Sequence, residues 1–455
     1  MGRRCEKTGN FVFCKVVCRA NMKPTTPIGS EISTTSSRQF NVTILLFVLG
    51  MFTVSFELFM VIEYQFKFKF CYFPFMAVIF FAAAKMVSTR RYYLPLGFNW
   101  AILWSLFIAV FSVLYQYELV RNIGYTFWLF FSLGMVWASV LIFDTREKIF
   151  RLVKLYIISF AFVASFGAVQ FLIALAGYPA PLHVPTAWWT PWLPRINAFL
   201  YEPSYYAMYM LPGWVILAYC IEKRLAIVSP AKDKLIFALI TVTSMLAASR
   251  SGWLLMLLYM LKFARETLQK HSARKILMFI VAVLMIAAAG GFWLYVSGSE
   301  YLGAMLRGED ASPLLRMMAL QDTIDIFKQS PLIGYGLGGV SSAIAELHGF
   351  TSNVVDSEMS FSGMSIFAEC LAASGIIGFF PFLFYMWTLM RKPFVLAKKL
   401  NDPDMVVLLR AVTLSFIFFF IKLQFNQNIL RPYFWLNIAV LSSAYSVALR
   451  KVEHL

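Results

Sequence analysis

The stretch Leu235-Ile-Phe-Ala-Leu-Ile-Thr-Val-Thr-Ser-Met-Leu-Ala-Ala-Ser249-Arg250-Ser251-Gly252-Trp-Leu-Leu-Met-Leu-Leu-Tyr-Met260 is apolar on both sides of four residues, Ser249 to Gly252. Read as one helix, it crosses a bilayer once and carries the basic run from Lys262 to Lys275 to the far side. Read as two short helices turning at Arg250, it crosses and returns, and the run stays on the side the chain came from. A helix needs about 20 apolar residues to cross the hydrocarbon core. Each half falls short of that, so the turn is expected beneath the membrane surface, with Arg250 on the floor of an open cavity.

The rest of the chain supports a membrane reading. Of 455 residues, 60% are hydrophobic and 14% charged, against about a quarter charged in soluble domains. The apolar residues fall into helix-length blocks and do not alternate as barrel strands would. The expected fold is therefore an all-α polytopic membrane protein of about twelve transmembrane helices, near residues 41–63, 70–87, 93–115, 125–143, 155–177, 204–221, 233–249, 250–264, 276–297, 364–390, 405–424 and 431–449. Residues 1–40 are expected to be a basic cytoplasmic tail, with no apolar core or cleavage site of a signal peptide. Residues 41–455 are expected to form a single membrane domain.

A net charge of +17 raises a nucleic-acid reading, which the placement of the charges answers. With both termini in the cytoplasm, the tail, Lys85 to Arg91, Arg146 to Lys154, Lys223 to Lys234, Lys262 to Lys275, Arg391 to Lys399, and the three residues Arg410, Arg450 and Lys451 all lie inside. These hold most of the 40 Lys and Arg, the bias of the positive-inside rule. The two-helix reading of residues 235–260 preserves it, and the one-helix reading does not. Two periplasmic loops follow, near residues 178–203 and 298–363. The first is rich in Pro and Trp (Trp188, Trp189, Trp192), as in interfacial segments. The second holds Pro331-Leu-Ile-Gly334-Tyr-Gly336-Leu-Gly338-Gly339, which calls for a sharp turn or close backbone approach. It lacks the Lys-Ser/Thr ending of a phosphate loop. The six cysteines show no metal-ligand spacing.

Charges that disobey the inward bias are the candidates for chemistry: Arg195, Arg250, Arg307, Arg316 and Arg431, with Lys422 at the outer end of its span. Guanidinium groups bind phosphate bidentately and stay charged, so an outer cluster suits a diphosphate. The alternative is that each reaches to lipid head groups or pairs with a carboxylate such as Glu202 or Asp322. In Arg195-Ile-Asn-Ala-Phe-Leu-Tyr-Glu202-Pro203-Ser204-Tyr205-Tyr206-Ala207, Glu202 stands at a helix start, where the dipole favours a carboxylate. His348, Asp356 and Glu358 are further proton-acceptor candidates in the late loop.

Arg195 to Ala207, Ser249-Arg250-Ser251-Gly252, and the run from Arg316 through Pro331-Leu-Ile-Gly-Tyr-Gly336 to Ser374-Gly375-Ile-Ile-Gly378 resemble the O-antigen polymerase and O-antigen ligase superfamily of bacterial envelope glycosyltransferases. The order and spacing match across about residues 190 to 380, and the twelve-span layout over nearly the whole chain. The resemblance implies an inner-membrane enzyme that joins a glycan from an undecaprenyl diphosphate donor to an acceptor at the periplasmic face. It implies no nucleotide sugar, cofactor or metal. Ligases of the group are similar in having a His-Asn pair shortly before the Gly-Ile-Ile-Gly element, where this sequence has Gly363, Met364 and Ser365. That departure favours a polymerase.

The expected reaction is attack by a sugar hydroxyl of an incoming lipid-linked repeat on the anomeric carbon of the growing chain, expelling undecaprenyl diphosphate. Arg250, Arg316 and Arg195, with Arg431, are the expected diphosphate ligands. Glu358, His348 and Glu202, in that order, are the candidate bases. Expected partners are the undecaprenyl diphosphate-linked glycan, the bilayer, and chain-length regulator and flippase proteins, with no nucleic acid. The alternatives are a ligase that delivers glycan to another acceptor, and a flippase or transporter.

Overall fold

The computed structural model describes residues 32–59, 61–63, 67–90, 92–114, 119–184, 188–190, 193–268, 311–350, 365–425 and 429–453. Among them are helices α1 (Ile32–Thr53), α2 (Tyr72–Thr89), α3 (Phe98–Leu114), α4 (Leu119–Ile142), α5 (Arg146–Leu175), α6 (Pro203–Glu222), α7 (Pro230–Leu246) and α8 (Arg250–Leu268). They are followed by α9 (Ala311–Gln329), α10 (Gly339–Leu347), α11 (Ile366–Ala397), α12 (Pro403–Lys422) and α13 (Pro432–Glu453). Two short antiparallel hairpins pair β1 (Val61–Glu63) with β2 (Lys67–Lys69) and β3 (Trp188–Thr190) with β4 (Leu193–Pro194). Six helices, α2, α4, α5, α6, α11 and α12, are long and apolar enough to cross a membrane. The chain is thus a mostly helical multi-pass membrane protein.

Each expected span overlaps a helix except residues 276–297, which lie outside the described residues. Two segments differ from expectation. The first apolar block ends its helix at Thr53, whose Oγ1 donates to the Leu49 carbonyl at 2.8 Å; the chain then turns and buries Glu57 completely. The expected late loop contains α9 and the short α10.

α6 is the central element: 78% of its apolar window is buried, against 28% for α2. It packs against α12, α7, α5 and α8. The stretch that decided the topology reverses direction on its surface. Along α7, Phe237 meets Trp214 and Thr241 Oγ1 accepts from Trp214 Nε1 at 2.9 Å. Ala247 and Ala248 then turn the chain, with Ala248 at φ +52°. Along α8, Gly252 comes beside Ala207, Tyr259 packs edge-on against Trp214, and Lys262 lies over the Tyr219 ring. α7 therefore runs antiparallel to α6 and α8 parallel to it. Lys262 returns to the end of α6 that holds Glu222, as the two-helix reading required.

That end carries the ordinary ion pairs. Asp402 caps α12 by accepting from Met405 N at 3.1 Å, and it also binds Arg146 Nε at 2.9 Å and Lys451 Nζ at 2.6 Å. Partial burial pushes the Asp402 carboxyl up, but the hydrogen bonds from Lys451 and Arg146 outweigh it and leave the group below the ordinary carboxylate range. Arg146 reaches Asp404 as well.

At the other end, the two glycine-rich motifs prove to be halves of one junction. α11 breaks at Gly375, which has φ +57°. The break removes the helical bonds from Ile376 and Ile377 to the Ala372 and Ala373 carbonyls. All four groups find partners in the chain at 331–336. Tyr335 N donates to Ala372 O at 3.0 Å, Gly336 N to Ala373 O at 2.8 Å, Ile376 N to Pro331 O at 2.8 Å, and Ile377 N to Leu332 O at 3.2 Å. Non-helical backbone in an apolar setting is tolerated only when its groups are satisfied in this way. Gly334 is needed for closeness, because a Cβ there would lie 2.5 Å from the Ala372 carbonyl oxygen. Asn122 of α4 fixes the far end of the loop, accepting from Gly338 N at 2.8 Å.

Candidate active site

Several of the outward positive charges lie at the α7–α8 turn. Arg195 donates from Nε to Ala247 O at 3.2 Å and from Nη2 to Ala248 O at 3.4 Å, capping the carbonyl end of α7. Its segment is held in turn by Gln170 of α5, whose Oε1 accepts from Ala198 N at 2.9 Å. Ser249, Arg250 and Ser251 open α8, so the partial positive charge of a helix start adds to the side chains. Arg250 is exposed and Ser251 half-buried.

Lys422, at the last turn of α12, reaches this turn from the other side. Its side chain is fully buried, and Nζ donates to Ser249 Oγ at 3.1 Å and to Ser251 Oγ. Arg316 of α9 lies within Coulombic range of that ammonium. The structure thus brings Arg195, Arg250 and Lys422 to one turn, with Arg316 near enough to be felt. His183 adds no charge there. Its Nε2 donates to the Arg195 carbonyl at 3.2 Å, and burial holds its pKa below the usual imidazole value against the opposing effect of that bond.

Arg431 is differently placed. It forms a buried ion pair with Glu57 Oε1, which also accepts from Lys69 Nζ at 2.7 Å. Its guanidinium lies 3.7 Å from the centroid of the Tyr205 ring. Glu202, the residue before α6, is exposed and accepts from Ser204 Oγ at 2.9 Å. Arg431 thus lies over Tyr205 in the first turn of α6, the turn that Glu202 precedes, two residues before the Ala207 that meets Gly252.

His348 ends α10, and its Nε2 lies 3.0 Å from Asp322 Oδ2 on α9. A carboxylate on one ring nitrogen orients the imidazole, with Nε2–H donating to Asp322. Glu358, Asp356 and Arg307 lie outside the described residues. Glu57 and Lys69 were not singled out by sequence reasoning. The signal was present, since an acid inside an apolar block marks a buried partner.

The turn, α9, α10 and the backbone junction all fall within one continuous segment, and that segment has recognisable relatives. Residues 235–383 match the O-antigen ligase family model. The superfamily resemblance is borne out over this O-antigen ligase segment, and with it an O-antigen ligase or polymerase type of function; proteins of this kind are glycosyltransferase-like enzymes. Arg250, Arg316 and His348 lie inside the segment, as do both halves of the junction. Arg195, Glu202, Lys422 and Arg431 lie outside it. None of the curated proteins matches the chain.

Proposed function

We propose that the protein polymerises lipid-linked polysaccharide repeat units at the outer face of the bacterial inner membrane, with both termini in the cytoplasm. The donor is a glycan on undecaprenyl diphosphate, and the acceptor is another lipid-linked repeat. The observation that carries this reading is the placement of Arg195 and Arg250 at the α7–α8 turn, at the end of α6 opposite its ordinary ion pairs, with Arg316 in electrostatic range of the Lys422 that binds the same turn. Fixed positive charge in a water-poor site stabilises a leaving diphosphate without reorganisation.

The step forms a bond between the acceptor hydroxyl oxygen and the anomeric carbon. It breaks the bond from that carbon to the phosphate oxygen, which leaves with the electron pair. The hydroxyl proton passes to a base. His348, which Asp322 orients, is one candidate for that base; Glu358 and Glu202 are the other candidates. No cofactor or metal enters the step. The lipid bilayer admits the polyprenyl tail from the side, and chain-length regulator and flippase proteins are the expected partners.

The description of the matching family favours a second reading, a ligase that passes finished glycan to a different acceptor. Against it stands Gly363-Met364-Ser365 where the resembling ligases have a His-Asn pair. The lipid-linked glycans of a deletion strain separate the readings. Single-repeat products support the polymerase, long unattached chains the ligase, and intermediates retained on the cytoplasmic face a flippase. Complementation with Arg250→Ala or Arg316→Ala should restore protein but no polymer, and Arg307→Ala should be mild; small, equal effects at all three would remove the anion-site reading.

A further inference from the structure

Lys422 has no role in the reading above, and its surroundings are costly without one. A fully buried ammonium ordinarily sits against a carboxylate, because an uncompensated charge away from water is strongly unfavourable. Among the described residues Lys422 forms no ion pair; its partners are two neutral hydroxyls, Ser249 Oγ and Ser251 Oγ. Its charged neighbour, Arg316, has the same sign. The hydroxyls belong to the start of α8, whose dipole is also positive at that end. The like charge of Arg316 and the helix start both disfavour the ammonium and favour an anion beside it.

The serines show the direction of the attraction. A hydroxyl carries one proton to donate. Both accept from Lys422, and among the described residues neither donates onward. Ser249 is buried, Ser251 half-buried and its neighbour Arg250 exposed, so the two serines stand between the buried ammonium and the open side of the turn.

We infer that Lys422 is a positioning residue for the donor diphosphate, polarising the Ser249 and Ser251 hydroxyls so that they donate to a phosphate oxygen at the α8 start, beside Arg250. This rests on the anion-site reading above. The ligand is a phosphate group on a lipid, and either the polyprenyl donor or a bilayer phospholipid carries one. The inference commits to the donor.

The test uses the full chain in phosphatidylcholine nanodiscs, with undecaprenyl diphosphate and dioleoyl phosphatidic acid as separate probes. Lys422→Met keeps the length and apolar stem and removes the charge. It should weaken undecaprenyl diphosphate binding roughly tenfold or more, the worth of charge-assisted hydrogen bonds, while Tm without ligand stays level or rises. Lys422→Arg should recover part of the binding. Ser251→Ala, a change too small to threaten folding, should weaken binding in the same direction and carries the test alone if Lys422→Met does not fold. Wild-type affinity in Lys422→Met or Ser251→Ala overturns the inference. So does a Lys422→Met protein of lowered Tm whose folded fraction binds normally, since that is a structural lysine. An equal loss for phosphatidic acid also overturns it, assigning the site to bilayer phosphate. Arg250→Ala and Arg316→Ala in the same assay separate the failures: if they lose binding while Lys422→Met keeps it, only this inference falls, and if they keep it, the anion-site reading falls.

Discussion

Replacing Arg431 with Ala should weaken the fold itself rather than merely empty a binding site. Glu57 is 0% exposed, and its Oε1 is shared by Arg431 and Lys69. Removing one member of a buried pair costs about 3–5 kcal/mol, because the other charge stays buried without it. Lys69 remains at 2.7 Å, which moves the value toward about 3 kcal/mol. Loss of the guanidinium from the Tyr205 ring, 3.7 Å away, adds on the order of 1–2 kcal/mol to the cost. A total of about 4–5 kcal/mol is a large part of the roughly 5–15 kcal/mol that holds a protein folded, and for a chain of 455 residues, at about 2.1 cal/mol/K of unfolding entropy per residue, it corresponds to a fall in Tm of about 4–5 °C. Thermal unfolding in detergent, followed by tryptophan fluorescence, measures it. The double variant Glu57→Gln with Arg431→Met should recover most of the loss, since it removes both charges together. An Arg431→Ala protein that melts with the wild type and yet fails to bind undecaprenyl diphosphate would refute this reasoning and make Arg431 a ligand of the donor.

Further outcomes are expected elsewhere. If His348 is the base, His348→Ala should lower the polymerisation rate about 100-fold or more with donor binding retained, and Asp322→Asn should fall between it and the wild type; if Glu358 is the base, Glu358→Gln shows that loss instead, and full chain lengths in both variants would exclude both. Gly375→Ala forces a side chain into φ +57° against the Leu332 backbone, so the mature protein should disappear from membranes on immunoblots, whereas the exposed Gly349 has open space around it and should accept Ala with less harm. A reporter fused at Gln269 should give a cytoplasmic signal; a periplasmic one would contradict the reversal at Ala248. Asp402, held below its ordinary range in the fold, contributes stability that is complete above its unfolded pKa of about 3.9 and is lost as pH falls through the lowered folded value. Tm measured downward from pH 5 should therefore fall more steeply in the wild type than in Asp402→Asn, which is destabilised already at neutral pH.

The sequence by itself determined that this is a helical membrane protein, because about 20 apolar residues in a row have few alternatives in lipid, and most helices stand where those blocks stand. It also called for a reversal near Arg250, since only a returning α8 keeps Lys262 with the other basic clusters; the structure makes that turn slightly earlier, at Ala247 and Ala248, and Arg250 opens α8. What it could not decide was which distant residues meet. Arg195 and Arg431 looked alike as outward arginines, yet one caps α7 at the turn and the other is paired with Glu57 inside the protein. Lys422 was visible as a misplaced charge, and only packing of α12 on α6 carries it to Ser249 and Ser251. The glycines at 334 and 375 each advertised a special backbone, but nothing local reveals that each motif satisfies the hydrogen bonds the other leaves open. Helices form from contacts within one turn of the chain, which a sequence displays directly; a site forms from side chains that meet across the bundle, and their partners are fixed only when the helices pack.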